Sequence, residues 1–203
     1  MIPAGTRLAL SIAMRAAIFF ATREGHTRRI AERLAAGLRG RGVAADVFDV
    51  HPDVMSHAPI DWAAYGIACV AASVHAGHHE TEMIDFVKRH RTALERIPAA
   101  FVSVTLSEAG VENAARPAAD RERAAADVQR MIDLFVTETG WRPARTLPVA
   151  GALAYSKYNF LIRFVMKRIA RKAGAPTDTS RDYEFTDWPA LDRFAGELTG
   201  SVP

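Results

Sequence analysis

Apolar runs of strand length alternate along the chain with stretches whose apolar residues recur every three or four positions. Ala16-Ala17-Ile18-Phe19-Phe20-Ala21 is continuously apolar, the pattern of a strand covered on both faces of a parallel sheet. Ile30, Ala31, Leu34, Ala35 and Leu38 then follow a helical period over Thr27 to Gly40, and Gly40 and Gly42 punctuate its end. Ala44 to Val50 alternates instead, as a strand at a sheet edge would. Gly66 to Ala72 repeats the buried pattern, and Met83, Ile84, Phe86, Val87 and Leu94 mark the helix behind it. Ala99 to Leu106 is a further apolar strand, Arg116 to Thr139 a long helix carrying Val128, Ile132 and Phe135 or Val136, and Thr146 to Leu153 a fifth strand. The last helix is expected from Asp187, an N-cap residue with Trp188-Pro189 behind it.

Five strands separated by helices, with connections long enough for right-handed crossovers, predict a doubly wound α/β sandwich. Ligands of such folds sit at the carboxyl ends of the strands, which directs attention to Thr22–Thr27, Ser73–His79 and the loop from Thr105 onward. Residues 16–203 read as a single domain, and Met1 to Arg15 as an appended or disordered leader whose short apolar run lacks a signal-peptide cleavage pattern.

Composition removes several classes. With 203 residues, 49% hydrophobic and 24% charged, the chain can bury about two-thirds of its unfolded surface, which excludes intrinsic disorder. Average Gly and Pro usage and the lack of a 20–50-residue repeat exclude collagen-like and solenoid architectures. Cys69 is the sole cysteine, so neither an intramolecular disulfide nor a cysteine-based zinc site can form, and a reducing, cytoplasmic setting is expected. No run of ~18 apolar residues occurs, so a soluble or peripheral protein is expected. The 26 basic against 23 acidic residues leave a net charge of +3, which suits an anionic ligand or an anionic membrane surface without calling for nucleic acid.

The sharpest chemistry lies in Thr22-Arg23-Glu24-Gly25-His26-Thr27, which links a buried strand to a helix. Two hydroxyls flank a glycine that permits close backbone approach, and the exposed N–H groups of a helix start attract an anion, so a phosphate fits there. The chain lacks both G-x-G-x-x-G after this strand and any Gly-Lys-Ser/Thr, which disfavours dinucleotide and P-loop readings. In the second loop, Ser73-Val74-His75-Ala76-Gly77-His78-His79-Glu80, three imidazoles are spaced plausibly for a metal, but no second ligand cluster is evident and no metal is expected. His75 and His78 are instead acid/base candidates, and all three histidines are expected to face a ligand or substrate. A basic amphipathic segment, Lys157 to Lys172, puts Arg163, Lys167 and Arg171 on one side of a helix and Tyr158, Ile162, Val165 and Ile169 on another.

The span Ile18-Phe19-Phe20-x-Thr22-x-x-Gly25-x-Thr27-x-x-x-Ala31-x-x-Leu34 resembles the flavodoxin signature. Trp141-Arg142-Pro143, Ala150-Gly151-Ala152-Leu153, Gly174-x-x-Thr177-Asp178-Thr179 and Thr186-Asp187-Trp188 are similar to elements of one branch, the flavodoxin-like, menaquinone-dependent protoporphyrinogen IX dehydrogenases. The resemblance covers about Ala16 to Leu198. It implies a five-stranded parallel sheet of order 2-1-3-4-5, with a basic helical insertion at about 154–186 after strand five. It further implies FMN held by Thr22, Arg23, Glu24, Gly25, His26 and Thr27 at the phosphate, by Ser73, Val74, His75, Ala76, Gly77 and His78 beside the ring, and by Thr105, Leu106 and Ser107. The second loop departs from the family pattern in having His75-Ala76 where the family has Arg-Tyr. The implied activity is oxidation of protoporphyrinogen IX in haem biosynthesis, with electrons passed to a membrane quinone from a peripheral position on the inner face of the cell membrane. Tyr158, Arg163, Lys167 and Arg171 would meet the tetrapyrrole or the bilayer. The alternatives are an FMN-binding electron-transfer module without tetrapyrrole activity and an interaction domain that has lost its flavin; a homo-oligomer is compatible with the main reading.

Overall fold

The computed structural model describes residues 15–55, 59–157 and 178–200. In chain order the elements are β1 (Arg15–Ala21), α1 (His26–Arg39), β2 (Ala44–Asp49), β3 (Ile67–His75), β4 (His78–His79), α2 (Thr81–Leu94), β5 (Ala99–Thr105), α3 (Leu106–Glu112), α4 (Ala118–Thr139), β6 (Arg145–Ala150), β7 (Ala152–Leu153), β8 (Tyr183–Glu184) and α5 (Trp188–Thr199). Two single 3₁₀ turns, Trp62–Ala64 and Tyr155–Lys157, join them.

The long strands form a parallel sheet in the order β2-β1-β3-β5-β6, which is the expected 2-1-3-4-5 arrangement of the five long strands. Alternation along β1 explains its unbroken apolar run. Ala16, Ile18 and Phe20 face a layer containing Ile30, Leu34 and Leu38 of α1 and Leu191, Phe194 and Leu198 of α5. Ala17, Phe19 and Ala21 face the opposite layer, with Met83, Phe86 and Val87 of α2 and Val128, Ile132 and Phe135 of α4. Each such large side chain, removed from water, contributes roughly 1.5–3 kcal/mol. Trp141 closes the second layer edge-on to Phe101 and Phe135, so this member of the Trp-Arg-Pro run is a core residue. Cys69 is buried in the first layer, and burial pushes its thiol up to about 12, so it stays protonated.

Three local features depart from the sequence pattern. The third strand continues through Ser73, Val74 and His75, turns at Ala76-Gly77, and pairs with β4, so the second loop is a hairpin and not an open loop. Its two turn residues have positive φ, 49° at Ala76 and 88° at Gly77, the conformation that two-residue hairpins require. Leu106 and Ser107 open a helix where a loop was expected, because the Thr105 side chain accepts a hydrogen bond from the Ser107 amide and caps it. The fifth strand ends at Ala150. The Gly151 amide donates to the Thr105 carbonyl and the Gly151 carbonyl accepts from the Phe185 amide, which turns Ala152–Leu153 out of the sheet and onto β8.

Candidate functional site

β1 and β3 are neighbours in the sheet, but the chain leaves them towards opposite faces, α1 following β1 and α2 following β3. That divergence opens a crevice at their carboxyl ends, and the first two candidate segments flank it. On the β1 side, Gly25 adopts φ 91°, a left-handed conformation open to glycine, and turns the strand into α1. The Thr22 hydroxyl accepts a hydrogen bond from the Gly25 amide at 3.0 Å and fixes the loop. α1 has no side-chain cap and no acidic residue in its first turn. The Thr27 hydroxyl, on a residue 1% exposed, has no protein partner. Leaving a buried hydroxyl unsatisfied costs ~1–3 kcal/mol, so this is a donor held ready for a ligand beside the positive end of a helix. Those features fit a phosphate.

His26, the first residue of α1, points away from that pocket. Its Nε2 lies 2.7 Å from the Thr186 hydroxyl, which itself donates to the Ala150 carbonyl. Because the hydroxyl proton is committed to Ala150, His26 must donate from Nε2. Burial lowers the His26 pKa, which favours this neutral form. The rest of Thr186-Asp187-Trp188 continues the attachment: Asp187 caps α5 through the Ala190 amide, and the Trp188 indole donates to Glu184, which also pairs with Arg29 of α1.

Across the crevice, the Glu80 carboxylate is the hub. Its Oε2 accepts from Arg23 Nε at 3.0 Å, and its Oε1 accepts from the Ser73 hydroxyl at 3.0 Å. His75 Nε2 lies 3.1 Å from Glu80 and 3.5 Å from Glu24; this is ion-pair proximity without the alignment of a hydrogen bond. Burial raises the Glu80 pKa, but His75 and Arg23 outweigh it and hold the carboxyl below its ordinary value. The three imidazoles have separate partners. His75 faces these carboxylates, and exposed His78 faces Glu138 of α4 at 3.6 Å. His79 departs from the expected ligand-facing position: it is buried, bonded to the Ser103 hydroxyl at 2.9 Å and set edge-on to Phe101 and Phe135. Alternation along the two-residue β4 sends it to the core face opposite His78.

The third segment runs from Thr105 into α3. Leu106 packs on an apolar cluster of Leu153, Tyr155, Tyr183 and Phe185, and Glu108 is buried with its pKa raised by that burial. Sequence reasoning missed Glu80 and Glu108 as site candidates. Thr105-x-x-Glu108 has capping-box spacing, a signal for α3 and its buried carboxylate, whereas Glu80 is defined by partners on separate elements. Tyr158, Arg163, Lys167 and Arg171 lie outside the described residues.

A parallel sheet of this order, with a glycine turn into an uncapped helix at the β1/β3 switch, defines a flavodoxin-type protein. The flavodoxin domain family matches residues 17–180. Protoporphyrinogen IX dehydrogenase [quinone] of Escherichia coli strain K12 is 36% identical over 185 residues, covering 91% of this chain and 94% of that protein. The Leishmania major protein of the same name is 31% identical over 182 residues, covering 89% and 73%. Among solved structures, a short-chain flavodoxin associated with a non-canonical PDU bacterial microcompartment shares the fold with a TM-score of 0.52 at 14% identity, over 94% of this chain and 99% of that one. The chain belongs to the flavodoxin-domain family, on the branch of the protoporphyrinogen IX dehydrogenases.

Proposed function

We infer that this chain is an FMN-dependent oxidoreductase that oxidises protoporphyrinogen IX and passes the electrons to a quinone. The observation that carries this reading is its relationship, across nine-tenths of its length, to proteins named for that reaction. The β1/β3 crevice supports it with a set of donors suited to a phosphate: the uncapped backbone at His26 and Thr27 that opens α1, and the buried, unpartnered Thr27 hydroxyl. When bound, FMN supplies the electron-accepting chemistry, so the chain needs no nucleophile of its own. Its residues bind and orient. Thr22 holds the turn around Gly25, and Thr27 donates to the phosphate. Ser73, Val74, His75, Ala76, Gly77 and His78 would hold the ring from the hairpin, with Thr105, Leu106 and Ser107 contributing from a third segment. Of the two acid/base candidates, His75 is favoured, because it stands beside Glu80 and Glu24 at the crevice, whereas His78 is turned to Glu138 of α4.

The same reading extends to a peripheral membrane position. No helix among the described residues is long and apolar enough to cross a bilayer, and a membrane quinone must be met at the surface. Arg163, Lys167 and Arg171, with Tyr158 beside them in sequence, are the residues we assign to that surface or to the acidic substituents of the tetrapyrrole.

Purified protein supplied with FMN and protoporphyrinogen IX should reduce a quinone faster than autoxidation does. Flavin binding without tetrapyrrole turnover would favour the electron-transfer module, and failure to take up flavin would overturn both. Thr27→Ala removes one charge-assisted hydrogen bond, so FMN affinity should fall roughly tenfold or more. An unchanged dissociation constant would place the phosphate elsewhere.

A further inference from the structure

Glu80 is the residue in this region whose burial is hardest to explain by packing. Its side chain is only 2% exposed, and a carboxylate in that position is costly unless every lone pair is engaged. The partners that engage it come from two sides of the crevice. Ser73 and His75 belong to the end of β3, whereas Arg23 belongs to the loop after β1, 57 residues away in sequence. Glu24, next to Arg23, approaches His75 in turn at 3.5 Å. Two consecutive residues of the anion loop therefore grip the hairpin with opposite charges, Arg23 on Glu80 and Glu24 on His75.

We propose that Glu80 is a positioning residue: through Arg23 and His75 it fixes the spacing between the anion loop and the β3–β4 hairpin, and so the width of the crevice that receives the flavin. This rests on the flavin reading above and changes the part played by Arg23. The sequence places that side chain among the cofactor-binding residues, yet its Nε is spent on Glu80. The placement of Glu80 makes the role specific. It stands between the end of β4 and the first turn of α2, its amide donates to the Ser73 carbonyl, and the amides of Met83 and Ile84 donate to its own carbonyl, so the carboxylate projects from an anchored backbone. Buried ion pairs add little net stability but are well suited to setting register between elements.

The sign of one change separates this role from a simple charge effect. Glu80→Gln keeps the side-chain volume and can still accept from Ser73, but it removes a negative charge near an anion site and releases Arg23. If only charge matters, the variant should bind FMN more tightly; if Glu80 positions the loops, it should bind FMN roughly tenfold more weakly. FMN titration of the apoprotein should give a similar loss for Arg23→Gln, substantial recovery with Arg23→Lys, and no further loss in the Glu80→Gln/Arg23→Gln double variant, since both singles break one link. Equal or tighter FMN binding by Glu80→Gln, or additive losses in the double variant, would overturn the proposal. Amide hydrogen exchange on the apoprotein supplies a readout independent of flavin: residues 22–27 and 73–79 should exchange faster in both single variants. Unchanged exchange there would overturn the clamp even if FMN bound normally, whereas absence of FMN uptake by the unsubstituted protein would count against the flavin reading alone. Arg23 has 60% of its side chain exposed, so Arg23→Gln carries the test if Glu80→Gln does not fold.

Discussion

At the scale of single residues, His79 shows how little freedom a buried imidazole keeps. Enclosed by Phe101 and Phe135 and bonded to Ser103, it would carry a proton's charge out of reach of water, and this burial pushes its pKa down to about 4. In the unfolded chain the same ring protonates near pH 6.5. Between these values the unfolded state binds the extra proton, so the contribution of His79 is complete above about pH 6.5 and is lost as pH falls towards 4, by at most about 3 kcal/mol. Glu80 acts in the same direction, since a carboxyl held below its ordinary pKa stabilises the fold when ionised and loses that contribution on acidification. In urea unfolding between pH 7 and pH 5 the native sequence should therefore show a loss from His79, set against an opposing gain from Glu112, whose carboxyl is pushed up to about 7 by burial and Glu108. A His79→Phe/Ser103→Ala variant should show a smaller loss, and an undiminished one would mean that the ring titrates normally. Ala76 illustrates a second limit at this scale: its left-handed φ of 49° costs about 1 kcal/mol that a glycine would not, yet an alanine gives no outward sign of a turn.

Among the elements, α1 and α5 approach most tightly at Gly37. A Cβ placed there would lie 2.9 Å from Cβ of Ala195, closer than two rigid helix positions tolerate. Gly37→Val should force the helices apart and destabilise the fold by ~1–3 kcal/mol, read as a lower urea midpoint at unchanged slope. Gly37→Ala combined with Ala195→Gly should recover near-native stability, because the total volume at the crossing is conserved; failure to recover would locate the strain elsewhere. The long elements were legible in the sequence because their periods report burial directly. β1, β3 and β5 are covered on both faces and read as continuous apolar runs, and α1 presents its apolar stripe at helical spacing. Short elements were not, for physical reasons that differ. β4 has two residues and exists through the turn at Ala76-Gly77. β7 is held by β8, some thirty residues on. Of the candidate site, the glycine turn after β1 was legible because Thr22, Gly25 and Thr27 act locally. The Glu80 hub and the burial of His79 were not, since their partners Arg23, Ser103 and Phe135 lie on other elements.

For the molecule as a whole, the proposed membrane position rests on charge. With Arg163, Lys167 and Arg171 all changed to Glu, FMN content should be unchanged while co-sedimentation with anionic vesicles at low salt collapses, each basic residue near such a surface contributing ~1 kcal/mol. Undiminished sedimentation would leave those side chains as an ordinary solvated face. The other global feature is the joint at Thr186, where one hydroxyl ties His26, at the start of the first helix, to the carbonyl of Ala150 at the far strand, spanning 160 residues from the histidine. A ribosome makes the anion turn early and Thr186 late. Until that threonine has been synthesised, His26 lacks its acceptor and the turn is fastened on the hairpin side alone. A nascent chain that has not reached residue 186 thus presents the flavodoxin signature with His26 still unfastened.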